Sequence, residues 1–183
     1  VMRGYHRNPA LTEQTIDKDG WLHTGDKGKI DEEGYLTIIG RIKELFKTST
    51  GEYVAPVPIE QEICKVPLIE SAMIIAEGRK FTSCLLFPSK EVMDSLKISH
   101  HMDHLSDAEF LESDFVRKEM SKLFRELNKH LNHWEQIHAY RFIDHPASIE
   151  SGELTPTLKI RREVVGKKYF QLIDSMYMEG ANV

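Results

Sequence analysis

Cysteine is scarce in this chain: Cys64 and Cys84 are the only two among 183 residues. Two cysteines in apolar surroundings cannot build a disulfide framework, so the expectation is two buried, reduced thiols in a reducing, cytoplasmic compartment. Long apolar runs are missing too. No stretch approaches the roughly 18 residues that a transmembrane helix requires. The opening residues lack the basic and apolar pattern of a secretory signal. Positive charge is not in excess, since 24 Lys and Arg stand against 29 Asp and Glu, a formal net charge of −5. That balance argues against a general nucleic-acid binder. Neither an internal repeat nor a low-complexity segment occurs. What remains is an ordinary globular composition, 40% hydrophobic and 29% charged, with room for one domain or for a small domain and a piece of another.

The pattern along the chain predicts a small α+β domain. Residues 1 to about 40 read as short strands and turns. Within them, Asp31 to Gly34 forms a turn signal between strand-like 27–30 and 35–39, a β-hairpin. The pattern changes at Gly40 and Arg41, which sets the expected boundary between 1–40 and 41–183. Ile42 to Lys47 alternates as a half-buried strand does. Pro56 and Pro58 frame a loop, with Pro58 in the first turn of a helix that carries Ile59, Ile63 and Val66. Residues 69–76 and 81–87 predict an antiparallel hairpin, stopped by Pro88. A short helix follows over 89–96. Ser106 and Glu109 make a capping box. A helix over 113–130 places Val116, Met120, Leu123 and Leu127 on one face, which should pack on the domain's own sheet. A strand over 139–143 and a helix over 161–176 complete a sheet of at least three strands with helices on its faces.

Several polar residues stand out in one order. Thr24, Gly25 and Asp26 come first, then Gly40, Arg41, Lys43 and Lys47, then Gly51, Glu52, Tyr53 and Val54. Near the C-terminus, Glu153 to Arg162 contains Thr155, Pro156, Thr157, Leu158 and Lys159. This order closely resembles the C-terminal part of the adenylate-forming enzymes, above all the long-chain fatty-acid:CoA ligases. Val1 to Tyr5, with Asn8 and Pro9, is similar to a segment well inside those enzymes, so the chain reads as a fragment. The resemblance implies that 1–40 is the end of a large N-terminal adenylation domain and 41–183 the mobile C-terminal domain.

The resemblance also implies roles. Asp26 would accept hydrogen bonds from vicinal ribose hydroxyls, as a carboxylate can. Gly25 would let the backbone turn it toward the pocket. Arg41 would join it at the ribose or phosphate, and Lys43 would mark the hinge, where an exposed charge tolerates two environments. The loop Lys47, Gly51, Glu52, Tyr53 would face coenzyme A, with Gly51 admitting a thin pantetheine chain. Lys159 would neutralise charge as a carboxylate attacks the α-phosphorus. Each has a plainer alternative: a turn-capping Asp26, a surface ion pair for Arg41, an exposed strand lysine at Lys43, a bare turn at 47–54, a solvated loop charge at Lys159. The parent protein would use ATP, Mg2+, CoA and a fatty acid, and would need the N-terminal domain for activity. Peripheral membrane association and self-association through exposed strand edges stay open. No metal site is expected; His100, His101, Asp103 and His104 are spaced for one but read as surface histidines. A non-catalytic nucleotide- or protein-binding module and a relative that acylates a carrier protein are the alternatives.

Overall fold

The computed structural model describes residues 2–179, apart from the side chains of Ile39 and Glu179. Val1, at the start of the first expected segment, and residues 180–183, at the end of the second, lie outside the described residues. The chain forms two compact units that divide after Leu45.

The first unit contains helix α1 (Pro9–Thr15) and strands β1 (Asp26–Ile30) and β2 (Leu36–Arg41), followed by a 3-10 turn over Ile42–Glu44. The strands pair antiparallel, with Ile30 opposite Leu36 and Asp26 opposite Arg41. Their turn is built by Asp31, whose Oδ1 accepts from the amides of Glu33 at 3.1 Å and Tyr35 at 2.8 Å. Helix α1 replaces part of the strands and turns expected over 1–40. Its start follows from two residues. Asn8 Oδ1 accepts from Leu11 N at 3.0 Å, and Pro9 sits where a missing N–H costs nothing. The strand expected over 42–47 is a 3-10 turn and a two-residue strand instead. Ile42 N donates to Gly25 O at 2.8 Å and Leu45 N to Ile42 O, so the backbone curls where the alternation suggested extension.

The second unit is α+β. Strands β3 (Phe46–Lys47) and β4 (Tyr53–Val54) pair with each other. Helix α2 (Pro56–Ile63) follows, then β5 (Ile69–Ile75), β6 (Thr82–Pro88), α3 (Lys90–Ser99), α4 (Asp107–Leu111), α5 (Asp114–Asn128), β7 (Ile137–Phe142), α6 (Arg162–Lys168) and α7 (Phe170–Glu179). The main sheet has the order β5-β6-β7; β5 and β6 are antiparallel, β6 and β7 parallel. Both Pro56 and Pro58 lie inside the first turn of α2, so the helix begins two residues before the expected position and ends before Val66. The single helix expected over 161–176 is two, separated at Tyr169. Ser106 and Glu109 form the predicted capping box in full.

Every residue of β6 is buried, as a central strand covered on both faces requires. On one side Cys84 and Leu86 join Ile63, Phe110, Val116, Met120 and Phe124, with Leu123 and Leu127 half-buried against them. On the other side Leu85 and Phe87 join Met73, Ile143, Leu154, Val165, Ile173 and Met176. Tyr177 pins α7 to the sheet: its hydroxyl meets Ser83 Oγ at 2.8 Å, and Arg79 stacks on its ring while pairing with Asp174. Cys64 and Cys84 are both free thiols. Burial pushes the Cys84 thiol far up and the Cys64 thiol up as well, which keeps both protonated and unreactive near neutrality.

Candidate functional site

In the first unit the structure joins two of the singled-out residues. Asp26 opens β1 and Arg41 closes β2, directly opposite each other in register. Arg41 Nε lies 3.3 Å from Asp26 Oδ1. Asp26 is aimed by its predecessors: its amide donates to Thr24 Oγ1 at 3.1 Å, and Gly25 has φ +76°, a conformation that favours glycine. The loop before them is tied by Asp17, whose Oδ1 accepts from Asp19 N and Trp21 N while its Oδ2 lies 2.9 Å from His23 Nε2. The Trp21 amide, with help from His23 and Asp19 and against some desolvation, holds the Asp17 carboxyl below its usual range. Lys43 is exposed in the 3-10 turn after Arg41.

In the second unit, Lys47 to Tyr53 is a tight loop that closes the β3–β4 ladder. Thr48 N donates to Glu52 O at 2.9 Å and Gly51 N to Thr48 O at 3.0 Å. Gly51 has φ +92°, and a side chain built there would meet no atom closer than Lys47 Cε at 3.9 Å. The loop is anchored to the β5–β6 turn, since Ser49 N and Oγ both donate to Arg79 O at 3.0 Å. Trp134 Nε1 donates to Tyr53 O at 3.2 Å, and Lys47 Nζ stands 5.9 Å from the centre of the Tyr53 ring. Glu52 is exposed.

Lys159 sits at the end of a turn closed at its base. Leu154 and Ile160 form an isolated antiparallel bridge. Thr155 N donates to Lys159 O at 2.8 Å, Lys159 N to Thr155 Oγ1 at 3.1 Å, and Arg161 N to Glu153 O at 2.7 Å. Leu158 has φ +59° and is 69% exposed, so this turn holds a non-glycine residue in the left-handed region. Lys159 itself is exposed, and no ion pair holds its ammonium among the described residues. The trailing Arg162 is structural. Its guanidinium reaches both Glu60 oxygens at 2.6 and 2.7 Å, donates to Ile74 O and stacks on Phe46.

Sequence reasoning gave Glu153 no role. It is fully buried, and Lys168 Nζ at 2.8 Å, Tyr169 OH and Ser151 Oγ at 2.7 Å all donate to its carboxylate. Burial pushes this carboxyl up, but hydrogen bonds from Lys168, Tyr169 and Ser151 outweigh burial and hold its pKa at about 2. Burial and the same carboxylate push the Tyr169 phenol up to about 12. Nothing in the local pattern marks a partner 15 residues downstream, so this network was illegible. His100, His101 and His104 gather no metal set; among the described residues no group of three or more His, Cys, Asp and Glu could hold an ion. His100 packs its ring 4.1 Å from that of Phe115.

The fold agrees with what the chain is similar to. Residues 44–181 match the family model described as AMP-binding enzyme C-terminal domain. The long-chain-fatty-acid–CoA ligase ACSBG1 of Rattus norvegicus is 34% identical over 98% of this chain and 27% of its own length. The long-chain-fatty-acid–CoA ligase FadD15 of Mycobacterium tuberculosis is 33% identical over 97% of this chain and 30% of its own length. The chain therefore spans less than a third of these curated relatives. Among solved structures, the adenylation domain of a carboxylate reductase from Mycobacterium chelonae superposes with a TM-score of 0.70 at 21% identity, over 96% of this chain and 26% of that one. The corresponding domain from Segniliparus rugosus, in complex with AMP and a carboxylic acid, gives 0.70 at 23% identity, over 98% and 27%. The chain belongs to the AMP-binding enzyme C-terminal domain family, and its curated relatives are long-chain fatty-acid:CoA ligases.

Proposed function

We propose that this chain is the C-terminal part of an ATP-dependent long-chain fatty-acid:CoA ligase. The reaction runs in two steps. A fatty carboxylate oxygen attacks the α-phosphorus of ATP, pyrophosphate leaves, and acyl-AMP forms. The CoA thiol, deprotonated, then attacks the acyl carbonyl and AMP leaves. Residues 1–40 would end the N-terminal adenylation domain and 41–183 would form the mobile domain, with Lys43 at the hinge. Asp26 and Arg41 would bind the ribose and its neighbouring phosphate together. Their cross-strand pairing supports this reading, because it holds carboxylate and guanidinium side by side before ligand arrives.

The observation that carries the proposal is Lys159. It is an exposed ammonium on a turn whose base is fixed by backbone bonds. Such a group can meet a carboxylate and an α-phosphate together and neutralise the charge that develops between them. The loop from Lys47 to Tyr53 would face the pantetheine arm in the second step, where Gly51 leaves the backbone open. Mg2+ accompanies ATP in such chemistry; among the described residues no group of three or more His, Cys, Asp and Glu could hold an ion. In the full-length ligase, Lys159→Ala should slow acyl-AMP formation by about 10²–10³, the usual cost of one well-placed charge. Thioester formation from supplied acyl-AMP should persist. Equal loss of both steps would return Lys159 to a general binding or folding role. The 183-residue chain alone should release no pyrophosphate from fatty acid and ATP at enzyme-like rates.

A further inference from the structure

The turn that carries Lys159 has two stems, and each is held by an ion pair. On the leading stem, Glu153 is fully buried and receives Lys168 Nζ, Tyr169 OH and Ser151 Oγ. On the trailing stem, Arg162 grips Glu60, whose Oε1 also accepts from Ile74 N at 2.7 Å. Between them lie only the Leu154–Ile160 bridge and the exposed tip. The tip keeps Leu158 at φ +59°, a conformation that survives for a branched residue only where its surroundings over-determine it.

We propose that Glu153 is a positioning residue for Lys159: its carboxylate, tied to Lys168 and Tyr169 at the α6–α7 junction, fixes the leading stem so that the ammonium is presented in one place. This rests on the assignment of Lys159 made above. Glu153 O accepts from Arg161 N at 2.7 Å, and the next residue, Leu154, bridges Ile160. Movement of Glu153 therefore shifts both rungs beneath the tip. A buried carboxylate stripped of its charge leaves Lys168 without its anion, and the stem loses its anchor while the sheet core beside it does not. His145 Nε2, 3.2 Å from Tyr169 OH, and Arg161, whose guanidinium meets Gly152 O, complete the polar surroundings. Lys159 then travels with the second unit as one body rather than searching on a loose loop.

Two measurements on Glu153→Gln test this, with Glu153→Asp and Tyr169→Phe as companions. The first is amide hydrogen exchange on the 183-residue chain. Thr155 and Arg161 should lose protection about tenfold or more, while the amides of β6 stay unchanged. Glu153→Asp, which keeps the charge, should return most of the protection. Tyr169→Phe, which leaves the ion pair, should show the same pattern more weakly. Uniform loss across β6, or no loss at the turn, would overturn the proposal. The second measurement is the pair of half-reactions in the full-length ligase. Misplacing one group by about 1 Å costs on the order of 10²-fold, so Glu153→Gln should lower kcat for acyl-AMP formation by about 10- to 100-fold. KM for ATP and the CoA step should hold. Equal loss in both half-reactions would also overturn it. Should Lys159→Ala leave acyl-AMP formation intact, the lysine's assignment falls instead, and the exchange data still decide whether Glu153 holds the turn.

Discussion

The two units hold their motif residues by different means. Among the described residues up to Leu45 none is buried; Trp21 is 73% exposed and Ile30 68%. Asp26 and Arg41 are placed by local devices: an Asx turn at Asp31, another at Asp17, a left-handed Gly25 and a short antiparallel ladder. The second unit ties the Lys159 turn and the Lys47 loop to a three-stranded sheet with apolar clusters on both faces: Leu154 joins one cluster, and Ser49 donates to Arg79 O in the β5–β6 turn. Local hydrogen bonding can orient a side chain, but it supplies little of the area burial that makes folding cooperative. The first unit should therefore be the more easily opened, and the second should resist.

The largest effect that would sharpen this contrast comes from the second core. Phe87 is fully buried in the central strand. Phe87→Ala should cost about 3–5 kcal/mol in urea unfolding of the second unit, and a loss below about 1 kcal/mol would mean that the sheet does not carry the unit's stability. Next comes the Glu153 network. Its folded pKa, about 2, lies below the ordinary 4.5. The ionised carboxylate therefore contributes fully above about pH 4.5, and that contribution is lost as pH falls toward about 2. The wild-type chain should exceed Glu153→Gln by at most about 3 kcal/mol at pH 7, and the gap should close between pH 4.5 and 2. A gap that ignores pH would remove the charge from the explanation. The smallest effect belongs to the first unit. Trp21→Ala should change the stability of this chain by less than about 0.5 kcal/mol; a larger loss would place packing where the structure has only surface.

Much of this arrangement is legible in the sequence, and the reasons differ by element. The β5–β6 hairpin, the Ser106–Glu109 box and the buried face of α5 were readable because each signal is local and periodic. Helix α1 carried a local signal as well, Asn8 followed by Pro9, but strand and turn residues around it dominated the reading. The 3-10 turn at Ile42–Glu44 was missed because alternating apolar and charged residues suit a strand only when a partner strand is available. The parallel pairing of β6 with β7 depends on three intervening helices and has no local trace. The candidate residues were legible through resemblance. Their supports, Glu60 for Arg162 and Lys168 and Tyr169 for Glu153, were not, because long-range partners leave no spacing in the sequence.

The proposed function divides labour within the second unit, with Lys159 serving the first half-reaction and the Gly51 loop the second. It is tested most directly by assaying both half-reactions on two variants of the full-length ligase. Lys159→Ala should lose about 10²–10³ in acyl-AMP formation and keep thioester formation from supplied acyl-AMP. Gly51→Trp, bulky at a φ of +92°, should do the reverse. Crossed losses of this kind are the predicted result; two variants that slow both steps alike would contradict it.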